Sequence, residues 1–376
     1  MNNAGRIYKY DNVKALLILL VVIGHMTTDY VSDSHAIRNM TLWIYSFHMP
    51  AFIFISGLVH KRYITKENSD KNASGGGSLR WDKVLGFFFL AYGLKIFLQI
   101  TRTLMGQNPT WHWIEEPGIP WYLFVLAEYE IIFYALKFID EKVKPVVIIA
   151  VFFTISAVIG YFPIIGDAFC LSRMINFLPI YAIGYYTDMQ KALSFFENKK
   201  VKTMSVIIIT TSVILCINAP WRWYRYRKWF TGRRSYDFLQ DYFSNAIKDG
   251  WWIRIAIWAI AIIMTIAVIS VVPNKKIDKI TNAGGKTLQV YFWHRPLCYL
   301  FRSPLMLLPN IFMLLGGDYD ISVAGEISGL AFENSAFMMT ISLMIYILIA
   351  VSVTYIFSLK IFEHPTKEIF SMGRKQ

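Results

Sequence analysis

The sequence holds few cysteines and few charged residues for its length. Three cysteines occur among 376 residues, an odd number, and none has the spacing of a metal-binding motif. We therefore expect buried thiols and no bound metal. Charged residues make up 17% of the chain, yet lysine and arginine exceed aspartate and glutamate enough to give a net charge of +13.

Other signatures are also missing from the sequence. No G-x-S-x-G elbow occurs, which argues against an acyl-enzyme of the serine-hydrolase type. No nucleic-acid recognition motif accompanies the positive charge, and membrane proteins carry excess lysine and arginine for topological reasons. Because no recognition motif is present, we expect no nucleic-acid partner. The first apolar run is not followed by an A-x-A-like site, so we also expect no cleavable signal peptide.

Apolar residues, in contrast, are abundant. They account for 55% of the chain and recur in runs of about 20 residues, the length that crosses a bilayer core. We predict an all-α, polytopic membrane protein that forms a single domain over residues 1–376. The ten predicted spans cover roughly residues 11–30, 40–60, 84–104, 120–138, 145–162, 173–189, 203–219, 251–272, 287–308 and 336–360.

The distribution of charge predicts the orientation. Lysine and arginine concentrate in alternate connecting segments, as they do on the cytoplasmic side of a membrane, while the intervening segments are mostly acidic. This pattern places both termini in the cytoplasm and the protein in the cell inner (cytoplasmic) membrane.

Two loops depart from the average composition. An inner loop at about residues 66–80 is rich in glycine and lacks the G-x-x-x-x-G-K-S/T pattern, so we interpret it as a flexible linker. An outer loop at about residues 220–250 alternates aromatic residues with Arg222, Arg225 and Arg227. Two interpretations of it stay open: it holds an anionic glycan or lipid-linked saccharide, or it lies at the interface with its arginines on lipid phosphates.

The first span contains a cation and an imidazole. Lys14 and His25 are eleven residues apart, which puts them within about 20° on one helix face and about 16 Å apart along the axis. Ionisable residues inside a span usually face a partner or a cavity, so we interpret His25 as functional. Lys14 either contacts a substrate or reaches the headgroups. His48 lies at a similar predicted depth in the second span, and the two histidines either converge on one site or make separate helix contacts.

Several motifs, taken in order, resemble the acyltransferase-3 family of membrane O-acyltransferases, and in particular its fucose 4-O-acetylase-like branch. At the first motif, Lys14 stands where the family has arginine, which keeps the charge but loses the planar fork. The matching segments are Asp11-x-x-Lys14-x10-His25, Phe47–Gly57, Pro120–Leu123, Arg173 with Phe177–Pro179, Gly184–Tyr186 and Gly285–His294.

The resemblance implies transfer of an acyl group, usually acetyl, from cytoplasmic acyl-CoA to a sugar hydroxyl of a surface or lipid-linked glycan. No permanently bound cofactor is implied, and the expected partners are membrane lipids, acyl-CoA and the glycan. His25 acts either as general base or as nucleophile, and any residue that orients it must come from another helix. The implied site residues are His25 and His48 for catalysis, Asp11 and Lys14 for the donor, and Arg173, Tyr291, His294 and Glu128 for the acceptor or oxyanion.

A different function class fits the same features. A transporter or flippase of polysaccharide precursors would also have about ten spans, intramembrane ions and a basic outer loop. Dependence on acyl-CoA distinguishes the two.

Overall fold

The computed structural model describes residues 7–28, 31, 34–70, 79–116, 118–140, 142–300 and 336–372. These residues are mainly helical, and one isolated β-bridge joins Glu115 to Ala168. The helices are α1 Tyr8–Met26, α2 His35–Tyr45, α3 His48–Asp70, α4 Trp81–Leu104, α5 Trp121–Asp140, α6 Pro145–Val158, α7 Leu171–Tyr186, α8 Met189–Glu197, α9 Lys199–Ile217, α10 Arg227–Phe230, α11 Tyr236–Gln240, α12 Ala246–Val271, α13 Asp278–Gly285, α14 Thr287–Leu300, α15 Ala336–Phe357 and α16 Thr366–Met372.

Four helical stretches in the described part of the chain are long and apolar enough to cross a membrane. They are His35–Lys61, Trp81–Leu104, Lys199–Ile217 and Ala246–Val271, and each overlaps a predicted span. The prediction of an all-helical membrane protein is confirmed at this level. The count of ten spans and the cytoplasmic termini stay predictions.

The inner loop begins later than predicted. Helix α3 continues to Asp70, so the first residues of the predicted 66–80 loop are helical. No glycine or proline interrupts this part of the helix, since Gly75, Gly76 and Gly77 follow only afterwards. Residues 71–78, which carry the glycines, lie outside the described residues.

The thiols are mostly buried, as predicted. Cys170 and Cys298 are buried, whereas Cys216 is half-buried, and none of the three is in a disulfide. Burial raises the pKa of the Cys170 thiol well above its ordinary range. Cys170 is therefore a poor nucleophile at neutral pH.

The chain divides into two compact units, each built from separate segments. The first comprises Met1–Ile44, Tyr92–Trp111 and Asn274–Glu368, and the second comprises Tyr45–Ala91, His112–Pro273 and Ile369–Gln376.

In the first unit, α1 packs against α13, α14 and α15. Its first turn is held by the segment that precedes and forms α13. The backbone N–H of Lys9 donates to Asn274 Oδ1 at 3.0 Å, and Asn12 Nδ2 donates to the Lys275 carbonyl at 2.9 Å. Thr281 Oγ1 donates to Asn12 Oδ1 at 2.7 Å. These bonds connect α1 to residues more than 260 positions away.

Gly284 allows α13 to approach α1 this closely. A Cβ at Gly284 would lie 1.7 Å from the carbonyl oxygen of Asp11, a distance that no side chain tolerates. The contact is with backbone, so the clash could not be relieved by a change of rotamer. The first turn of α1 is therefore fixed in position.

In the second unit, α3 and α7 form an extensive helix pair around two glycines. A Cβ at Gly57 would lie 2.3 Å from the Tyr181 carbonyl oxygen, and one at Gly184 would lie 2.1 Å from that of Phe54. Small residues that bring backbones together are typical of helix pairs in membranes.

We expect Gly184→Ala to destabilise the protein, because the added methyl group meets backbone that cannot rotate away. Overpacking of this kind costs about 1–3 kcal/mol. The matched control is Gly93→Ala in α4, where a Cβ meets no atom within 4 Å. Thermal unfolding of both purified variants in detergent measures the difference. Equal melting temperatures would show that α3 and α7 are not packed as closely as described.

Candidate active site

The candidate site lies in the first unit, where the end of α1 meets α14. His25, one residue before the end of α1, places its Nδ1 2.8 Å from Nε2 of His294. The two ring planes are within 10° of parallel. His25 is therefore hydrogen-bonded to a second histidine, which lies on another helix.

The hydrogen bonds define which nitrogens carry protons. His294 is fully buried, and its Nδ1 lies 3.0 Å from the Val290 carbonyl oxygen, one helical turn earlier. A carbonyl only accepts, so Nδ1 of His294 donates, and in the neutral ring its Nε2 is the acceptor. His25 then donates from Nδ1, and its Nε2 carries the lone pair. That lone pair is the basic and nucleophilic position of the site.

The backbone of His25 is held as well as its side chain. Arg295, next to His294 in α14, donates from its guanidinium to the His25 carbonyl oxygen at 3.1 Å. A cation at the last carbonyls of a helix is favourable because the helix dipole is negative there. His25 is thus fixed at two points by consecutive residues of α14.

Tyr291 also lies beside this pair. It is buried, and its ring centroid is 5.9 Å from that of His294. Tyr291 therefore packs against the orienting histidine. Its predicted role as an oxyanion or acceptor contact stays a prediction.

Lys14 and Asp11 form an ion pair on the same helix. Lys14 Nζ is 2.9 Å from Asp11 Oδ1, and the side chains are 24% and 14% exposed. Asp11 lies in the first turn of α1, where the helix dipole favours a carboxylate. The pair keeps the ammonium group in place but reduces the positive field that it offers to an anionic ligand.

Three predicted site residues lie in the second unit. His48 begins α3, is buried, and meets the Tyr45 ring edge-on at 5.0 Å. Glu128 lies on α5, and its Oε2 is a buried oxygen without a hydrogen-bond partner among the described residues. Their participation in a common site with His25 stays a prediction.

Arg173 is the third of these residues, and its guanidinium contacts groups within the second unit. The buried guanidinium donates to the Gly118 carbonyl at 3.3 Å and lies 5.1 Å from the centre of the Trp121 ring. These contacts join the start of α7 to the start of α5. Arg173 is therefore held by contacts within the protein, and its predicted role toward the acceptor or oxyanion stays a prediction.

The outer-loop arginines divide into two groups. Arg225 donates to the Tyr242 carbonyl at 2.9 Å, and Arg227 lies 4.8 Å from the centre of the Tyr224 ring. Arg222, in contrast, is exposed. Two of the three arginines thus have partners within the loop, and Arg222 faces outward.

Arg254 donates hydrogen bonds to backbone carbonyls of the outer loop. The sequence pattern did not identify this residue. This arginine of α12 is fully buried and donates to the carbonyls of Trp229 at 3.0 Å and Arg234 at 3.3 Å. Asn176 Nδ2 adds a bond to the Gly232 carbonyl at 2.9 Å. The position of Arg254 in an apolar run could have indicated this role, since charged residues in such runs usually have partners in the protein.

A buried triad in the second unit was also missed. His60 Nε2 lies 3.2 Å from Glu130 Oε2, and His60 Nδ1 lies 2.7 Å from the Tyr181 hydroxyl. All three residues are buried. The triad joins α3, α5 and α7. In the sequence, only the presence of an acid and a histidine in separate apolar runs indicated that such a contact could form.

Comparison with known families identifies the chain. The family model described as an acyltransferase domain matches residues 7–359, which include α1, α14 and α15. The chain belongs to the acyltransferase-3 family. No curated protein and no solved structure matches it significantly. This acyltransferase, with its apolar helices, is a multi-pass membrane protein.

We expect His294→Ala to lower kcat while leaving the apparent KM for the acyl donor unchanged, because His294 orients the base without touching substrate. The loss should be smaller than the roughly 10²–10⁴-fold that removal of a general base costs. His294→Gln, which retains an acceptor near the Nε2 position, should recover part of the rate. Initial rates of acyl transfer measure both. An unchanged kcat for His294→Ala, or no recovery with glutamine, would contradict the orienting role.

Proposed function

We propose that this acyltransferase moves an acetyl group from cytoplasmic acetyl-CoA to a sugar hydroxyl of a surface or lipid-linked glycan, as in the fucose 4-O-acetylase-like branch. The observation that carries the proposal is the hydrogen-bonded pair of His25 and His294 at the end of α1. A pair of this kind, a basic nitrogen oriented by a second group, is the usual arrangement for activating a hydroxyl. Membership of the acyltransferase family favours this function over a transporter or flippase.

The reaction uses Nε2 of His25. As the sugar oxygen attacks the thioester carbonyl, Nε2 takes the hydroxyl proton, a carbon–oxygen bond forms, and the carbon–sulfur bond then breaks. The departing coenzyme A thiolate takes the proton back. His294 accepts the Nδ1 hydrogen of His25 throughout, so the imidazolium that forms transiently stays oriented and hydrogen-bonded. In the variant route, Nε2 itself attacks the thioester, the carbon–sulfur bond breaks and an acyl-imidazole forms; the sugar hydroxyl then attacks it, the acyl–nitrogen bond breaks, and the coenzyme A thiolate takes the hydroxyl proton.

The donor extends along α1. Lys14 and His25 are eleven residues apart on a continuous helix, which separates them by about 16 Å along the axis. If a coenzyme A phosphate binds at the half-buried Lys14, the extended pantetheine arm spans the distance to His25. In this arrangement the Asp11 carboxylate, which pairs with Lys14 at 2.9 Å, competes with the phosphate for the lysine ammonium group.

The acceptor binds at the exposed part of the outer loop. Trp221 and Trp223 are exposed and lie on either side of exposed Arg222 in one helical turn. Aromatic faces stack on sugar rings, and a guanidinium binds carboxylate or phosphate groups. Arg225 and Arg227 hold the loop in shape and in place, since Arg225 bonds to the Tyr242 carbonyl and Arg227 lies between the rings of Tyr224 in the loop and Tyr45 in α2.

We expect His25→Ala to abolish glycan acylation while the protein still folds and inserts. Loss of the base lowers the rate by about 10²–10⁴-fold, and by more if His25 is the nucleophile. The matched control is His112→Ala, an exposed histidine in the loop after α4. The mass of the cell-surface glycan reports acylation in cells that carry each variant. Near wild-type acylation by a well-expressed His25→Ala variant would refute the assignment.

Variants of the ion pair distinguish donor binding from a local structural role. If Lys14 binds phosphate, Lys14→Ala should raise the apparent KM for acetyl-CoA, Lys14→Arg should largely restore it, and Lys14→Glu should be worst. Asp11→Asn removes the competing carboxylate and should not raise KM by a comparable amount. Release of coenzyme A as a function of donor concentration measures all four. If Asp11→Asn and Lys14→Ala have the same effect, the pair serves the helix and not the donor.

A further inference from the structure

A cavity of about 290 Å³ lies within the second unit, between α3, α7, α8 and α12. Its walls are apolar and include Phe54, Ile183, Phe196 and Ile266. The volume is close to the lower end of the range for small-molecule sites, about 300–1,000 Å³. None of the residues assigned above to acyl transfer lines it.

The helices around the cavity place it within reach of lipid. Helix α12 is one of the four stretches long and apolar enough to cross a membrane, and Ile266 lies five residues, or about 8 Å, before its end. Helix α8 is short and amphipathic: Ala192 and Phe196 are buried one turn apart, whereas the polar Gln190 and Ser194 are exposed. Short helices with one apolar face commonly lie at the membrane surface. A membrane crossed by α12 would therefore have its lipid chains at the level of the cavity and its headgroups next to it.

The rim of the cavity is positively charged. Lys191 lines it, is exposed, and forms no ion pair with any described residue. The neighbouring Asp188 caps α8 and accepts the backbone N–H groups of Gln190 and Lys191, at 3.1 and 2.8 Å. The lysine ammonium is thus available to an anion at the headgroup level.

One polar group in the wall has no partner in the described part of the chain. Thr265 is 4% exposed, and its hydroxyl makes no hydrogen bond to any described residue. A threonine inside a helix commonly bonds the carbonyl four residues earlier, and a buried hydroxyl without a partner is destabilising. An occupant that brings a hydrogen-bond acceptor would satisfy it.

We propose that this cavity binds one acyl chain of an anionic glycerophospholipid, with the phosphate on Lys191 and an ester carbonyl accepting a hydrogen bond from Thr265. Such a lipid combines the three features that the cavity calls for: an apolar chain, an ester acceptor and a negative headgroup. The proposal is independent of the acyl-transfer reaction, because the bound lipid is a resident partner and not a substrate.

Native mass spectrometry of the full-length protein, titrated with phosphatidylglycerol or with phosphatidylcholine of the same chains, tests the proposal. Wild type should bind phosphatidylglycerol more tightly than phosphatidylcholine. Lys191→Gln should weaken phosphatidylglycerol binding about fivefold, since one lysine at a membrane surface contributes on this scale. The matched control is Lys142→Gln, a change at an exposed lysine that does not line the cavity, and it should bind as wild type does.

Thr265→Val provides a second, independent variant of nearly the same shape. It should raise the melting temperature of lipid-free protein, because it removes an unsatisfied hydroxyl, and at the same time weaken lipid binding. Opposite effects on stability and affinity separate a binding role from a folding defect. Equal affinity for both lipids, or wild-type affinity in both Lys191→Gln and Thr265→Val, would overturn the proposal.

Discussion

Both ends of α1 are fixed by the same continuous stretch of chain, residues 274–295, and the candidate site depends on this constraint. At the first turn, Asn12 is bonded to Lys275 and Thr281, and Gly284 contacts backbone. At the last turn, His294 and Arg295 hold the side chain and the carbonyl of His25. The helix between these points cannot slide or rotate without breaking contacts at both ends. The position of His25 against α14 is thereby kept constant.

Several buried polar side chains of the second unit have partners among the described residues. Arg254 and Asn176 bond to carbonyls of the outer loop, and the triad centred on His60 joins three helices. Charged groups in an apolar interior persist only when they are paired or hydrogen-bonded, so these contacts specify how the helices meet. They also explain why a loop rich in arginine and aromatic residues is ordered. The exposed Trp221 and Arg222 therefore belong to a loop that is held in place by hydrogen bonds.

The local features of the fold could be predicted from the sequence, and the long-range pairings could not. The helix that carries Lys14 and His25, the clustering of Tyr291 and His294 on one segment, and the burial of Cys170 all follow from local pattern. The bond between His25 and His294 joins residues 269 positions apart, and periodicity carries no information about such a pair. The ion pair of Lys14 with Asp11 could have been predicted from the sequence but was not, although residues three apart are neighbours on a helix. The extension of α3 to Asp70 was missed because nothing before the glycines marks where the helix ends.

The central claim is that His25 and His294 act as one catalytic unit, and a double-mutant cycle tests it most directly. Rates of acyl transfer are measured for His25→Ala, His294→Ala and the double variant. If His294 acts only through His25, its removal costs nothing further once His25 is absent, so the double variant should be as slow as His25→Ala alone. If instead the two losses multiply, the histidines act independently, and the claim that they form one catalytic unit is contradicted.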